Sequence, residues 1–450
     1  MMKGTFILLH FLLLNPLFVW AMPASSSNGP LRPTDDAFYR PPSGFEDMAP
    51  GTILRYRPPP SPIAAFGFVK SNLHSAYQVL YRTSDSFGNP IATVTTILIP
   101  HNADFNKLHS YQVAQDAADV NCSPSFALQQ QSTVSGSLAL AMPQIEYVFI
   151  TTALDKGWVV TIPDHLGPSA AFLANTLSGQ AVLDNIRAAL ASGNFTQIEP
   201  TARVTMWGYS GGSLATGFAA ELQQTYAPEL TIAGAALGGT VPKIVSVINT
   251  VNKGVFTGLV PAGILGLANE YPAAQDIVHN IILPAKVARF NKAKHLCLTG
   301  ALQEYFGQDI YNYVNDPSAF SSPAARAVLD PNSMGQNIPV IPLFIYKSIG
   351  DEVSPIADSD ELVTKYCEGG ADVEYKRDKF SEHASLEVIG APDAFLWLMD
   401  RMAGKPIRAG CTNTTVLTSM DNPKALAAFG VGIVDVLLSL LSLPIGPLIP

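Results

Sequence analysis

A serine set between glycines, an aspartate closing an apolar run and a histidine after both are the residues of this chain whose types suit nucleophilic chemistry. Gly208-Tyr209-Ser210-Gly211-Gly212 joins the strand-like run RVTMW to the helix-like run SLATGFAAEL. A serine hydroxyl is a weak nucleophile at neutral pH and must stand beside a base, free of crowding side chains. Glycines at 208 and 212 permit a strained strand-to-helix turn that lifts the serine into a cleft, since side chains there would collide with neighbouring backbone. Gly211 offers a backbone N–H at the helix start, where unpaired donors and the helix dipole favour a developing oxyanion. The plain alternative is a serine in an ordinary tight turn.

The partners follow in the order Ser210, Asp351, His383. Asp351 comes directly after a β-rich run and Gly350, a place from which a carboxylate can hold an imidazole in one tautomer. A helix-cap or turn role is its alternative, and Asp358 and Asp360 are rival acids nearby. His383 is the only histidine after the acid, which makes it the natural base. His165, in PDHLGP, is expected in a loop near the cleft, with packing and substrate contact both open as its role.

These residues need a sheet to converge on. AYQVLYRTSDSFGNPIATVTTILIP reads as two strands around a Gly-Asn-Pro turn, an antiparallel pair opening the sheet. GWVVTIP is a short buried strand, and GQAVLDNIRAAL is a helix with Val182, Ile186 and Leu190 at four-residue steps. RVTMW, the serine corner and TIAGAALGG continue a strand-helix-strand alternation, which implies a mostly parallel sheet covered on both faces. From Val241 to Asn337 the pattern lapses into apolar helical segments, expected as an insertion over the C-terminal edge of the sheet. Strand Val340 to Tyr346, helix SDELVTKYCEGG, strand DVEYKRDKF and helix PDAFLWLMDRMAG complete the α/β pattern.

At 450 residues, one large core with insertions or two unequal domains are expected. Charged residues make up only 14%, with 27 basic against 36 acidic and no basic run, so a phosphate backbone has no electrostatic footprint to meet. Nucleic acid is excluded as a partner on that ground. The leader MMKGTFILLHFLLLNPLFVWA reads as a secretory signal cut after about Ala21; its alternative, a membrane anchor, is opposed by His10 and Asn15-Pro16 within a short apolar run. In an oxidising compartment Cys122, Cys297, Cys367 and Cys411, with no C-x-x-C spacing, point to two disulfides rather than a metal site, with three pairings open. Asn121, Asn194 and Asn413 begin N-glycosylation sequons.

The segments DDAFYRPPSGFEDMAPGTILRYR, YQVLYRTSDSFGNPIATVTT, YQVAQDAADVNCSPS, DHLGP, GYSGGS, GDEVSP and EHASLEVIGAPDAFLWLMDR resemble the fungal secretory lipase family of the α/β-hydrolase superfamily. The resemblance runs from about Asp35 to the C-terminus. It implies an α/β-hydrolase core, a helical lid, a C-terminal flap near an acyl tunnel, and a triad on Ser210, Asp351 and His383. It also implies that the Asp116 N–H joins Gly211 in the oxyanion hole, and that Cys122 pairs with Cys297 and Cys367 with Cys411. The expected organisation is then a signal at 1–21, an extension at 22–45, core at 46–240 and 338–410, a lid at 241–337 and a flap at 411–450.

The function expected is a secreted serine carboxylic-ester hydrolase that releases fatty acids from triacylglycerols through an acyl-enzyme on Ser210. Its partners are an ester or lipid substrate and a lipid–water interface, with no metal, cofactor or obligate protein partner. Relatives that deacetylate soluble metabolites such as trichothecenes keep an esterase reading beside it. A serine peptidase and a noncatalytic binding protein on the same fold stand further off.

Overall fold

The computed structural model describes residues 29–132 and 141–430. The expected signal at 1–21, residues 22–28 of the extension and residues 431–450 of the flap lie outside the described residues. Twelve strands are described: β1 (Ile53–Arg57), β2 (Ala64–Ala65), β3 (Val69–Lys70), β4 (Ser75–Ser84), β5 (Pro90–Ile99), β6 (Asp104–Gln112), β7 (Trp158–Pro163), β8 (Arg203–Tyr209), β9 (Ile232–Gly238), β10 (Leu343–Ser348), β11 (Val373–Asp378) and β12 (Cys411–Val416). Ten of them form one sheet in the order β1-β4-β5-β7-β6-β8-β9-β10-β11-β12, and β2 and β3 form a separate pair. The β4–β5 hairpin is antiparallel, as its Gly-Asn-Pro turn suggests. From β7 through β12 every neighbouring pair is parallel.

Long apolar runs in β7 to β10 are explained by cover on both faces. On one face the helices Asn175–Ala191, Gly211–Tyr226 and Ile356–Glu368 bring Val182, Ile186, Leu214, Phe218 and Leu362 against Met206, Ile345 and Tyr375 of the sheet. On the other, the helices Ala141–Asp155 and Ala391–Met402 bring Tyr147, Phe395 and Leu398 against Trp158, Trp207 and Phe344.

After β6 the chain crosses to β7 on one side, while β8 lies on the other side of β6. The strand order therefore reverses between β6 and β8. In an open parallel sheet such a reversal leaves a crevice beyond the strands' carboxyl ends. Asp116 follows β6 and Ser210 follows β8, so both stand at its rim.

Residues 241–337 hold helices and no strand among the described residues, from Ile244–Val251 to Asp330–Asn332. They have a core of their own around Ile248, Val260, Leu265, Phe290, Tyr305 and Tyr313, which also takes in Ala118 and Val353 from the loops after β6 and β10. One boundary differs from expectation. Residues 411–416 pair with β11 as the outermost strand, so the segment expected to begin a flap extends the sheet instead. Its Thr and Asn side chains are mostly exposed, which suits an edge strand with one face in solvent.

Candidate active site

Close backbone approach explains the serine corner. A Cβ on Gly208 would lie 2.2 Å from the Gly212 carbonyl oxygen, and one on Gly212 would lie 2.0 Å from the Gln112 carbonyl oxygen. With those side chains absent, the helix Gly211–Tyr226 starts directly off β8, and Ser210 adopts φ 49° and ψ −117°. The Ser210 N–H donates to the Gly238 carbonyl at 2.9 Å, while its own carbonyl accepts from the N–H and the hydroxyl of Ser213 at 2.9 and 2.7 Å. The nucleophile candidate is fixed at both ends of its backbone.

His383 opens the short helix His383–Ile389, which is held by a capping box between Glu382 and Ser385. Its backbone N–H donates to Glu352 at 2.6 Å, and its carbonyl accepts the Tyr209 hydroxyl at 2.6 Å. The imidazole Nε2 lies 2.8 Å from Ser210 Oγ, and Nδ1 lies 2.7 Å from Asp351 Oδ2. An ionised carboxylate only accepts, so Nδ1 carries the proton and Nε2 is left to accept from the serine. Burial pushes the Asp351 carboxyl up, but the adjoining His383 and Lys347 more than offset this and hold it well below the usual carboxylate range. The rival acids point elsewhere: Asp358 faces Lys243 at 3.7 Å and Asp360 faces Arg377 at 3.3 Å.

Asp116 has φ 42° and its carboxyl lies against Gly211, where a Cβ would come 1.7 Å from Asp116 Oδ1. Asp116, Ser210 and Gly211 line one narrow cavity of about 40 Å³ with Phe172, Leu214, Val241 and Ile244. Burial raises the Asp116 carboxyl to about 7. Behind it Glu387 is likewise raised by burial to about 7. His165 is buried, with Nε2 2.9 Å from the Val113 carbonyl, and burial lowers its pKa to about 4. It braces the strand end that leads to Asp116.

The cysteines pair as Cys122–Cys297 and Cys367–Cys411. The first joins the Asp116 loop to the helical insertion; the second ties the helix Ile356–Glu368 to β12. Several residues touching this constellation escaped the sequence reading: Lys347, Glu352, Tyr209 and Glu387. A lysine inside the apolar run PLFIYKSIG was the available signal for the first of them.

A model of the secretory lipase family matches residues 128–410. The chain belongs to that family. It is 46% identical to Lipase A of Arthroderma benhamiae over 435 residues, which cover 96% of this chain and 92% of that protein. With Lipase 9 of Candida albicans it shares 38% identity over 405 residues, 88% of each chain. The closed-state crystal structure of Candida antarctica lipase A superposes with a TM-score of 0.80 at 28% identity, over 95% of this chain and all of that one. The architecture is thus an α/β-hydrolase fold, and the secretory lipase family supplies the context in which Ser210, His383 and Asp351 meet.

Proposed function

We propose that this chain is an extracellular lipase that hydrolyses carboxylic esters of long-chain fatty acids through an acyl-enzyme on Ser210. The observation that carries the mechanism is the continuous hydrogen-bonded chain from Ser210 Oγ through the imidazole of His383 to Asp351. Ser210 Oγ attacks the ester carbonyl carbon as its proton passes to His383 Nε2, and Asp351 stabilises the imidazolium. The N–H groups of Gly211 and Asp116 receive the oxyanion. His383 then protonates the departing alkoxide oxygen, leaving an acyl-serine. Water, deprotonated by the same imidazole, attacks that ester, and the fatty acid leaves as Ser210 recovers its proton.

The substrate reading rests on the apolar cavity walls and on relatives that are named lipases. A cavity of about 40 Å³ is far smaller than the several hundred Å³ of a typical ligand pocket. Acyl chains therefore reach Ser210 only when the insertion that supplies Val241, Ile244, Val247 and Leu259 moves aside, and residues 241–337 act as a lid. Secretion follows from the leader ending at about Ala21, and Asn194 and Asn413, both exposed, accept glycans. Asn121 sits beside the buried Cys122, with its side-chain oxygen accepting from the Thr34 hydroxyl at 3.1 Å.

Ser210→Ala is expected to abolish hydrolysis of emulsified long-chain triacylglycerols while leaving secretion and the circular dichroism spectrum intact. Turnover by the folded variant would overturn the mechanism. Wild-type enzyme that cleaves acetyl esters yet leaves the emulsions untouched would overturn the substrate class.

A further inference from the structure

Lys347 lies on β10 with its side chain wholly buried, four residues before Asp351. Its ammonium donates to Asp351 Oδ2 at 2.7 Å and to the Thr240 carbonyl at 2.8 Å. The same Oδ2 accepts from His383 Nδ1 at 2.7 Å. The other oxygen, Oδ1, accepts the N–H groups of Val353 and Ser354 at 2.9 and 2.8 Å. The carboxylate is thus held by four donors, and an ammonium and an imidazole share one of its oxygens.

Burying an ammonium is costly, and three donors without it would already orient the carboxylate. Methionine would fill much the same space in an apolar strand without desolvating a charge. What lysine adds is a positive charge beside the acid that faces the base. Of the titratable groups around His383, Asp351 is held ionised, burial favours the neutral form of Asp116 and Glu387 below about pH 7, Glu352 accepts from its backbone N–H, and Tyr209 packs on its ring. The Asp351 carboxylate favours the imidazolium. Burial lowers the Lys347 pKa, while Asp351, Asp358 and Glu352 favour its ammonium, which opposes the pull of Asp351 on the imidazole proton.

Resting on the reading of Ser210, His383 and Asp351 as the reacting triad, we propose that Lys347 is a positioning residue that weakens the base. Its charge offsets part of the field of Asp351, so the imidazole stays free to accept the Ser210 proton in more acidic solution. The cost is weaker support for the imidazolium during catalysis, and the gain is activity toward the acid side.

The test is the pH dependence of kcat/KM on a soluble short-chain ester for the wild type and for Lys347→Met, Lys347→Gln and Lys347→Arg. Gln can keep the donor to the Thr240 carbonyl without the charge, and Arg keeps the charge. Removing a nearby cation favours the protonated imidazole, so the acid limb is expected about one pH unit higher in the Met and Gln variants and unshifted in Arg. A purely structural lysine would lower Tm or plateau activity in Met and Gln while the limb stays in place; that result overturns the proposal. Where Lys347→Met fails to fold, Lys347→Gln carries the comparison. The triad reading is judged separately, by the inactivity of Ser210→Ala and by phosphonate labelling of Ser210 in the wild type. An unmoved limb in enzyme that labels at Ser210 therefore sinks the lysine's role alone.

Discussion

Ser210 has a positive φ that few serines adopt, and the neighbouring glycines show what sustains it. The helix start is pressed so closely on β6 that Gly212 has no room for a methyl group beside the Gln112 carbonyl. Both neighbours there are backbone, so neither can swing away. Gly212→Ala is expected to lose about 1–3 kcal/mol of stability, read as a lower unfolding midpoint in urea, and to lower kcat by displacing Ser210 from His383. That Ser210, Asp351 and His383 come together was legible in the sequence, because a strand-to-helix turn leaves a local signature of glycines and the three follow in order along the chain. The partners of Lys347 were not, because its apolar run hints at burial but does not say what meets the ammonium; only the arrival of Asp351 and Thr240 there gives it a role.

Among the elements, β6 is the instructive miss. KLHSYQ lacks the apolar run of a central strand, yet it lies between β7 and β8 with His109, Ser110 and Gln112 buried. Most of their polar groups are met from neighbouring elements: His109 Nδ1 by Thr205 at 2.9 Å, Ser110 by Asn185 at 3.0 Å, and Gln112 by Thr216 at 2.8 Å, while His109 Nε2 is buried without a partner and burial keeps the ring neutral. Burial of polar groups is tolerated when they are hydrogen-bonded, and no periodicity in one segment reveals partners in three others. The two outer strands raise a different problem, since an edge strand offers unpaired backbone groups to other chains. β1 carries Arg55 and Arg57 and a register break after Ile53. β12, CTNTTV, has no charge and is mostly exposed, but it bears the Asn413 sequon beside an open groove of about 360 Å³. A glycan there would guard the edge. Asn413→Gln is expected to lose one glycan by mass and to form more soluble aggregate on size-exclusion chromatography; equal monomer content in both proteins would remove the guarding role.

At the scale of the whole molecule, buried carboxyls set the response to pH. Burial raises Asp116, Asp164 and Glu387 each to about 7, whereas the unfolded chain binds those protons only below about pH 4. Each therefore contributes stability that is fully present below about pH 4 and lost as pH rises through 7. Asp351 runs the other way: its carboxyl is held low, so its contribution is present above about pH 4 and fades only in stronger acid. Tm is thus expected to be higher at pH 5 than at pH 8, and a scanning calorimetry series across that range checks it. His109 and His165, lowered by burial to about 3 and 4, lose stability as pH falls below about 6.5 and so oppose the carboxyls; a Tm that climbs toward pH 8 would mean that the carboxyls do not outweigh them.

The sequence by itself determined the class of sheet, the serine corner, the order of Ser210, Asp351 and His383 and the helical character of residues 241–337. Each of these is a local matter of glycine freedom, apolar spacing or order along the chain. The tertiary structure decided which strands lie at the edges, which cysteines meet, how a polar strand survives in the core, and that an ammonium shares an oxygen with the imidazole. Those depend on groups separated by as many as 175 residues, as in the Cys122–Cys297 bridge, and the fate of a buried charge or polar atom is settled only by the partner that folding brings to it.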